Sequence, residues 1–241
     1  MQKETPEFLR GSFAVIDSIL EKAKKIDDLK IVSLPKFVRV LNYAEKDLLD
    51  KFLWIDPEEY GIRMEFFGHN VGRPKKLIPI IGQKRIFPDG KRKIVSDQFL
   101  PKTAYIAFGM MNKALHNATG RRLVILSGYR APAYQSYIFL FNLKKYDFDF
   151  FKVVKIAALP GYSEHCGWPD CQAIDVIGSS PAGRDLSVFD KSEEFRWLSE
   201  NAYKFGFNLS YPRCNGAGIV YEPWHWCWHS RQLPNRGEIN F

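Results

Sequence analysis

The stretch KTAYIAFGMMNKALHNATGRRLVILSGYR, residues 102–130, carries the strongest structural pattern in the chain. Its first part repeats apolar side chains at helical spacing and stops at Gly120, as a C-terminal helix cap does. The apolar stripe consists of Tyr105, Phe108, Met111, Leu115 and Ala118. Its second part, residues 122–130, is an apolar run typical of a buried strand that ends in a turn. The sequence therefore predicts a helix followed directly by a buried strand.

Weaker helix and strand patterns surround this stretch. Residues 61–90 are rich in Gly, Pro and Lys and predict loops with a hairpin. Since no regular strand–helix–strand repeat occurs, the predicted fold class is α+β, with a small, mainly antiparallel sheet and helices packed on it. The other predicted helices cover residues 13–30, 44–54, 131–146, 148–159 and 192–205. The other predicted strands are 172–177 and two short strands within 218–229 that are separated at Pro223.

The length and composition of the chain exclude several classes of protein. The chain has 241 residues, a mass of 27.9 kDa, 46% apolar residues and 26% charged residues. This usage excludes a wholly disordered, collagen-like or coiled-coil chain. No apolar run approaches the roughly 18 residues of a membrane-spanning helix, and the first residues lack the pattern of a signal peptide. We expect a folded protein without a transmembrane segment and, if it is exported, a signal peptide that has been removed.

The formal charge of +8 is unevenly distributed. Residues 73–93 contain eight basic side chains and the single acid Asp89. Such a segment is either a solvated face or a docking surface for an anionic polymer, nucleic acid or cell-wall glycan. Nucleic acid is disfavoured, because aromatic residues do not alternate with the charges and no nucleic-acid-binding signature accompanies them. The basic residues are Arg73, Lys75, Lys76, Lys84, Arg85, Lys91, Arg92 and Lys93.

Four cysteines lie in the last third of the chain, at positions 166, 171, 214 and 227. Their simplest disulfide pairing joins Cys166 to Cys171 and Cys214 to Cys227, and it implies an oxidising compartment such as the periplasm or the exterior. Four buried reduced thiols are the alternative. A zinc site made of all four is less well supported, because the spacing of the second pair does not fit a zinc knuckle.

The segment PGYSEHCGWPDCQAIDV, residues 160–176, is the first candidate for part of a functional site. His165 follows a Pro-Gly turn, and Asp175 stands in an apolar strand where an unpaired charge is costly. A metal ion shared by the two side chains would hold the carboxylate. A structural role for both residues is the alternative.

The segment YEPWHWCWHS, residues 221–230, is the second candidate. Pro223 resets the strand alternation, so that Glu222 and His225 can face one site. A carboxylate three residues before a ligand histidine suits a general base that does not itself bind the metal. His229 is the rival ligand. Beyond the proline, the three tryptophans at 224, 226 and 228 are predicted to share one strand face, opposite the histidines and Cys227.

The segment SGYRAPAYQ, residues 127–135, is the third candidate. Arg130 ends the predicted strand, where a guanidinium can pair with a substrate carboxylate or stabilise an oxyanion. Pairing with a structural carboxylate is the alternative. His69 and His116 have no partner motif, and we expect structural roles for both.

Taken in order, SGYR, PGYSEH with AID, FRWLSENAYKFGF, SYP and YEPWHW closely resemble the VanY-type zinc D-alanyl-D-alanine carboxypeptidases, which belong to the LAS group of peptidoglycan-cleaving metallopeptidases. The match covers roughly residues 100–229. The resemblance implies the hedgehog/D-Ala-D-Ala carboxypeptidase-like fold and one zinc ion. It implies zinc ligands at His165, Asp175 and His225, the catalytic base at Glu222, a catalytic role for Arg130, and substrate contacts from Arg130, Gln135 and Ser163.

One departure from the family concerns the interval between the first two ligands. The family usually places the aspartate seven residues after the histidine, whereas here CGWPDC lengthens the interval to ten. Asp170 is therefore a rival ligand. Asp175 is preferred because it lies in the AIDV strand that the family uses, with the extra residues forming a bulge.

The predicted function is zinc-dependent hydrolysis of an amide bond in peptidoglycan stem peptides, with release of a terminal D-alanine. Alternatives are an endopeptidase of the same fold, a wall-binding module that keeps zinc without turnover, and a nucleic-acid-binding protein. Residues 1–96 are predicted to be an N-terminal region of unknown role, and residues 97–241 the catalytic domain. The expected location is the periplasm, the exterior or the cell wall, and residues 73–93 are a candidate contact to an anionic wall polymer.

Overall fold

The computed structural model describes residues 5–69, 76–166 and 171–230. These residues form two compact units. The first, here called the helical unit, draws on residues 5–69, 130–166 and 213–221, and the second, the sheet unit, on residues 76–129, 171–212 and 222–230. Among the described residues, none of the helices combines the length and apolar character that crossing a membrane requires.

The described elements include seven α-helices and eight strands. The helices are α1 (Phe13–Lys24), α2 (Leu34–Val38), α3 (Tyr43–Leu53), α4 (Lys102–Thr119), α5 (Pro132–Lys145), α6 (Phe150–Val153) and α7 (Glu193–Asn201). The strands are β1 (Leu77–Ile80), β2 (Lys84–Ile86), β3 (Arg92–Ile94), β4 (Gln98–Pro101), β5 (Val124–Ser127), β6 (Cys171–Ile177), β7 (Phe207–Leu209) and β8 (His225–His229).

The helical unit packs helices from distant parts of the sequence against each other. Helix α1 contacts both α3 and α5. Phe52 of α3 and Phe139 of α5 are both 1% exposed, and their rings are 5.8 Å apart. The buried Glu45 carboxylate accepts hydrogen bonds from Ser18 and Lys22 of α1, at 2.7 and 2.6 Å. Residues near the N-terminus therefore share one core with residues 132–145.

The sheet unit is built on a four-stranded antiparallel sheet in the order β5-β6-β8-β7. Because side chains alternate along a strand, each face of β6 and β8 receives every second residue. One face joins α4 and α7 in the hydrophobic core through Ile174, Val176, Trp226 and Trp228. The intervening residues, which include Asp175 and His225, therefore face away from this core. Trp224 also packs against the core, so the predicted separation of tryptophans from histidines is confirmed.

Two small antiparallel sheets complete the sheet unit. Strand β1 pairs with β4, and β2 pairs with β3 to form a hairpin. Every strand pair in the described residues is antiparallel, which confirms the predicted α+β class.

The buried stripe of α4 is displaced from the predicted one. The helix ends at Gly120 as predicted, with φ 71° at that glycine. Tyr105 is 42% exposed and Ala118 is also exposed, whereas Ala104 and Ala107 are buried. Small alanine side chains let the helix lie close to its neighbours on that side. A prediction based on the positions of large apolar residues does not detect them.

Three other predicted elements are shorter than expected. The helix predicted for residues 13–30 ends at Lys24. The helix predicted for 148–159 contains only α6, and the region predicted to hold two strands between residues 218 and 229 contains only β8. The helix predicted for 192–205 continues past α7 as a 3-10 turn that ends at Gly206, with φ 82°.

The predicted cysteine pairing is wrong. A disulfide joins Cys171 to Cys227 across β6 and β8, with the Cα atoms 6.3 Å apart. Cys166 is a buried free thiol and Cys214 an exposed one. The pairing of β6 with β8 sets Cys171 opposite His229 and Cys227 opposite Ala173, which brings the two cysteines to the same sheet face. Proximity in sequence does not predict this disulfide, because the strand register determines which cysteines are adjacent.

Candidate metal centre

The adjacent strands β6 and β8 place a carboxylate and an imidazole side by side. Asp175 and His225 are directly opposite in the strand register. The Asp175 Oδ1 and His225 Nδ1 atoms are 3.0 Å apart. The side chains are 16% and 6% exposed, respectively. Burial of a carboxylate is costly unless hydrogen bonds or a cation compensate it, so this pair is a natural place for a positive charge.

Glu222 joins this pair through a tight turn at Pro223. The His225 backbone N–H donates to the Glu222 carbonyl at 3.1 Å, and the Glu222 N–H donates to the Tyr211 carbonyl at 3.1 Å. This turn brings Glu222 Oε2 to 3.7 Å from His225 Nδ1. The Tyr211 ring packs against the imidazole with centroids 4.9 Å apart. Tyr211 belongs to the SYP motif, but sequence analysis assigned it no role.

The helical unit brings together the other four predicted site residues, Arg130, Gln135, Ser163 and His165. The Arg130 backbone N–H donates to the His165 carbonyl at 3.1 Å. Arg130 Nη1 donates to Gln135 Oε1 at 3.5 Å, and Gln135 Nε2 donates to the Ala158 carbonyl at 2.7 Å. The His165 N–H donates to Ser163 Oγ at 3.4 Å. Gln135 thus contacts the guanidinium, and Ser163 contacts the backbone of His165.

The surroundings of Cys166 disfavour a role as the nucleophile of a thiol protease. Burial raises the pKa of its thiol to about 12, against a smaller lowering by the Arg130 charge. Its Sγ donates to the Ser163 carbonyl at 3.2 Å. The reactive form of cysteine is the thiolate, which is scarce at neutral pH for such a group.

The remaining histidines lie in other surroundings. His69 packs against Trp54 and Phe66, and burial lowers its pKa. His116 is part of α4. His229 adjoins the disulfide, and its ligand atom lies within 4.8 Å of both sulfur atoms. The rival aspartate at position 170 lies outside the described residues.

Comparisons with known proteins identify the same family that the sequence motifs resemble. The sequence model of the VanY family, described as D-alanyl-D-alanine carboxypeptidase, matches residues 97–231. A D-alanyl-D-alanine carboxypeptidase of Enterococcus faecium is 34% identical over 119 residues, which are 48% of this chain and 32% of that protein. The putative carboxypeptidase YodJ of Bacillus subtilis is 34% identical over 111 residues, 44% of this chain and 38% of that protein. The matched segments thus span only about a third of these relatives.

A solved structure is similar in fold over a larger share of the chain. The LdcB LD-carboxypeptidase, whose structure is described as revealing the molecular basis of peptidoglycan recognition, superposes with a TM-score of 0.51 at 30% sequence identity. The match covers 65% of this chain and 69% of LdcB.

Proposed function

Because the chain belongs to the VanY family of D-alanyl-D-alanine carboxypeptidases, we propose that it is a zinc peptidase that releases the terminal D-alanine from peptidoglycan stem peptides. The observation that carries the proposal is the Asp175–His225 pair with Glu222 beside it. Carboxylate and neutral imidazole are ligand types that zinc prefers, and the third residue is an acid suited to proton transfer. The similarity to LdcB supports peptidoglycan as the substrate class.

Asp175, His225 and His165 are the proposed zinc ligands. Each offers an atom that can bind a metal ion, and a His₂Asp donor set leaves a coordination position for water or substrate. When bound, zinc polarises a carbonyl and activates water as a nucleophile. The preference for Asp175 over Asp170 rests on its position opposite His225 in the sheet.

The ligand assignment can be tested with single substitutions. Asp175→Ala, His165→Ala and His225→Ala should each lose stoichiometric zinc, measured by elemental analysis after dialysis. Asp170→Ala is the matched control across the insertion and should retain it. Zinc retained in Asp175→Ala but lost in Asp170→Ala would assign the ligand to the other carboxylate.

Glu222 is the proposed general base. Its Oε2 atom is 3.7 Å from His225 Nδ1, so the carboxylate lies beside the proposed ligands. In this role it accepts a proton from the attacking water and delivers it to the leaving amine.

Arg130 is the proposed anchor for a substrate anion. A carboxypeptidase must recognise a terminal carboxylate, and a planar guanidinium can do so with two parallel hydrogen bonds. Gln135 and Ser163 are proposed to line the same substrate site. The side-chain oxygen of Gln135 lies 3.5 Å from Arg130 Nη1.

The product of the reaction tests the proposed function. Defined muropeptides with pentapeptide and tetrapeptide stems are incubated with the zinc-loaded protein, and the products are identified by mass spectrometry. We expect loss of one terminal alanine, abolished by chelation and restored by zinc. Cleavage inside the stem or the cross-bridge would instead identify an endopeptidase. Zinc binding without cleavage would identify a wall-binding module.

Action outside the cytoplasm, at the cell wall, is part of the proposal. The Cys171–Cys227 disulfide supports it, because such bridges persist mainly in oxidising compartments.

A further inference from the structure

The hairpin formed by β2 and β3 carries two basic side chains in an unfavourable arrangement. Arg85 and Lys93 are directly opposite each other in the strand register. Like charges in this position destabilise a strand pair. Within residues 76–166 and 171–230, neither side chain forms an ion pair. Asp185 lies within the electrostatic reach of Arg85, but its Oδ1 accepts hydrogen bonds from the Ser187 N–H and hydroxyl instead.

The hairpin is held firmly enough to keep this arrangement. Its ends are closed by backbone hydrogen bonds from Phe87 to Lys91 and from Val95 to Gln83, both 2.8 Å long. The Gln83 side chain in turn bonds to the backbone N–H and carbonyl of Ile125 in the central sheet, at 2.9 and 3.1 Å. The two cations are therefore attached to the core of the sheet unit and do not lie on a free loop.

A pocket of about 200 Å³ opens at the two cations. The Arg85 guanidinium lies over the Phe87 ring, 4.5 Å from its centroid. Its Nε atom is buried and makes no hydrogen bond among the described residues. A buried donor without an acceptor is costly, so a ligand oxygen that reached this nitrogen would recover that free energy. The pocket is lined by Arg85, Phe87, Lys93, Ile94, Val95 and Leu126.

We propose that this pocket, between Arg85 and Lys93, binds a phosphodiester group of a polyol-phosphate polymer of the cell envelope. The guanidinium and the ammonium supply charge-assisted hydrogen bonds to phosphate oxygens. Ile94, Val95 and Leu126 form the aliphatic wall of the pocket, and the two cations provide its charge.

The surrounding hairpin residues favour a polymer over a single ion. Lys84, Lys91 and Arg92 are exposed on the same short hairpin, and the only acid in it, Asp89, pairs with Lys91 at 2.9 Å. Several phosphates along one chain can therefore contact several cations. Nucleic acid is a poorer match, because base stacking needs an open aromatic face and the guanidinium covers Phe87. Arg73 and Lys75 of the basic segment lie outside the described residues.

The choice of an envelope polymer rests on the proposed function, whereas the phosphate site itself does not. Binding of fluorescent poly(glycerol phosphate) to the full chain is measured by anisotropy without added metal. A failure of zinc binding or of peptide hydrolysis therefore leaves this experiment unaffected. Activity on a small soluble muropeptide should be the same in the pocket variants and the parent protein.

Arg85→Gln and Lys93→Gln should each weaken polymer binding about tenfold and reduce its salt dependence. Lys113→Gln removes the same charge from an exposed position of α4 and should change affinity less than twofold. Phe87→Leu keeps every charge but removes the ring under the guanidinium, and it should also weaken binding. Lys93 is exposed, so its variant remains informative if Arg85→Gln fails to fold.

Three results would overturn the proposal. The first is equal weakening by Lys113→Gln, which would mean that only net charge matters. The second is tighter binding of DNA of equal charge, which would indicate a nucleic-acid surface. The third is no polymer binding at physiological ionic strength.

Discussion

At the residue scale, Glu222 is proposed to act as a general base and not as a zinc ligand. If Glu222 is a base outside the coordination shell, Glu222→Gln should keep zinc and lower kcat by about 10²- to 10⁴-fold, the usual contribution of general acid–base catalysis. Zinc content and D-alanine release are measured on the same preparation. Glu200→Gln, at an exposed position of α7, is the matched control and should leave both unchanged. Full turnover by Glu222→Gln would remove the residue from the mechanism.

For Arg130, a substitution can distinguish the proposed role in substrate binding from a purely structural role. Because an ammonium cannot reproduce the two-donor fork, Arg130→Lys should lower kcat/KM about tenfold or more, or about 1.4 kcal/mol per factor of ten. Arg122→Lys makes the same change at an exposed position and should have no effect. Unchanged kinetics together with a lower melting temperature would show that Arg130 only holds the His165 loop.

Some features at the residue scale could be read from sequence and others could not. Alternation along β8 is local, and it correctly separated Trp226 from His225. The turn at Pro223 is also local, and it brings Glu222 beside His225. The contact between Tyr211 and His225 depends on the path of a distant loop, which no local pattern encodes.

At the element scale, the disulfide fastens β6 to β8 close to the proposed ligands. Cys227 is two residues from His225 on the same face, which is about 7 Å along a strand. The bridge closes a segment of sequence separation 56, far longer than the loop expected from the Cys166–Cys171 pairing. In the chain-entropy model a loop of this size stabilises the fold by about 4 kcal/mol, so we expect loss of the bridge to lower stability substantially.

Replacing both bridged cysteines tests this consequence. The double variant Cys171→Ser with Cys227→Ser should melt well below the parent protein and bind zinc more weakly, because β6 and β8 can then shift. Cys214→Ser, at the exposed free thiol, is the control and should behave like the parent. Serine variants are preferable to a reductant, since reduced Cys171 and Cys227 with His229 would offer zinc a second site. Free thiols at both positions in non-reducing mass spectrometry of native protein would contradict the pairing.

At the scale of the whole molecule, compact packing does not follow the order of the sequence. The motifs and the composition placed a boundary between residues 96 and 97, and that boundary remains a prediction. Helices α1 and α3, however, pack with α5, which follows Arg130. Charge and periodicity reveal an amphipathic helix, but they do not identify the helix that covers its apolar face. The family match likewise begins at residue 97 and leaves α1 and α3 outside it.

This packing predicts that residues 97–241 alone do not form a stable, active protein. Phe139, Leu140 and Leu143 of α5 are at most 1% exposed, and burying such a side chain contributes about 1.5–3 kcal/mol. Exposing all three removes several kcal/mol from a total stability of roughly 5–15 kcal/mol, and it disturbs the helix that carries Gln135. The truncated chain should lack a cooperative thermal transition and D-alanine release. In the full chain, Phe52→Ala, which removes the ring against Phe139, should lower stability by about 3–5 kcal/mol. A cooperative melt and full activity of the truncated chain would instead place the boundary at residue 96.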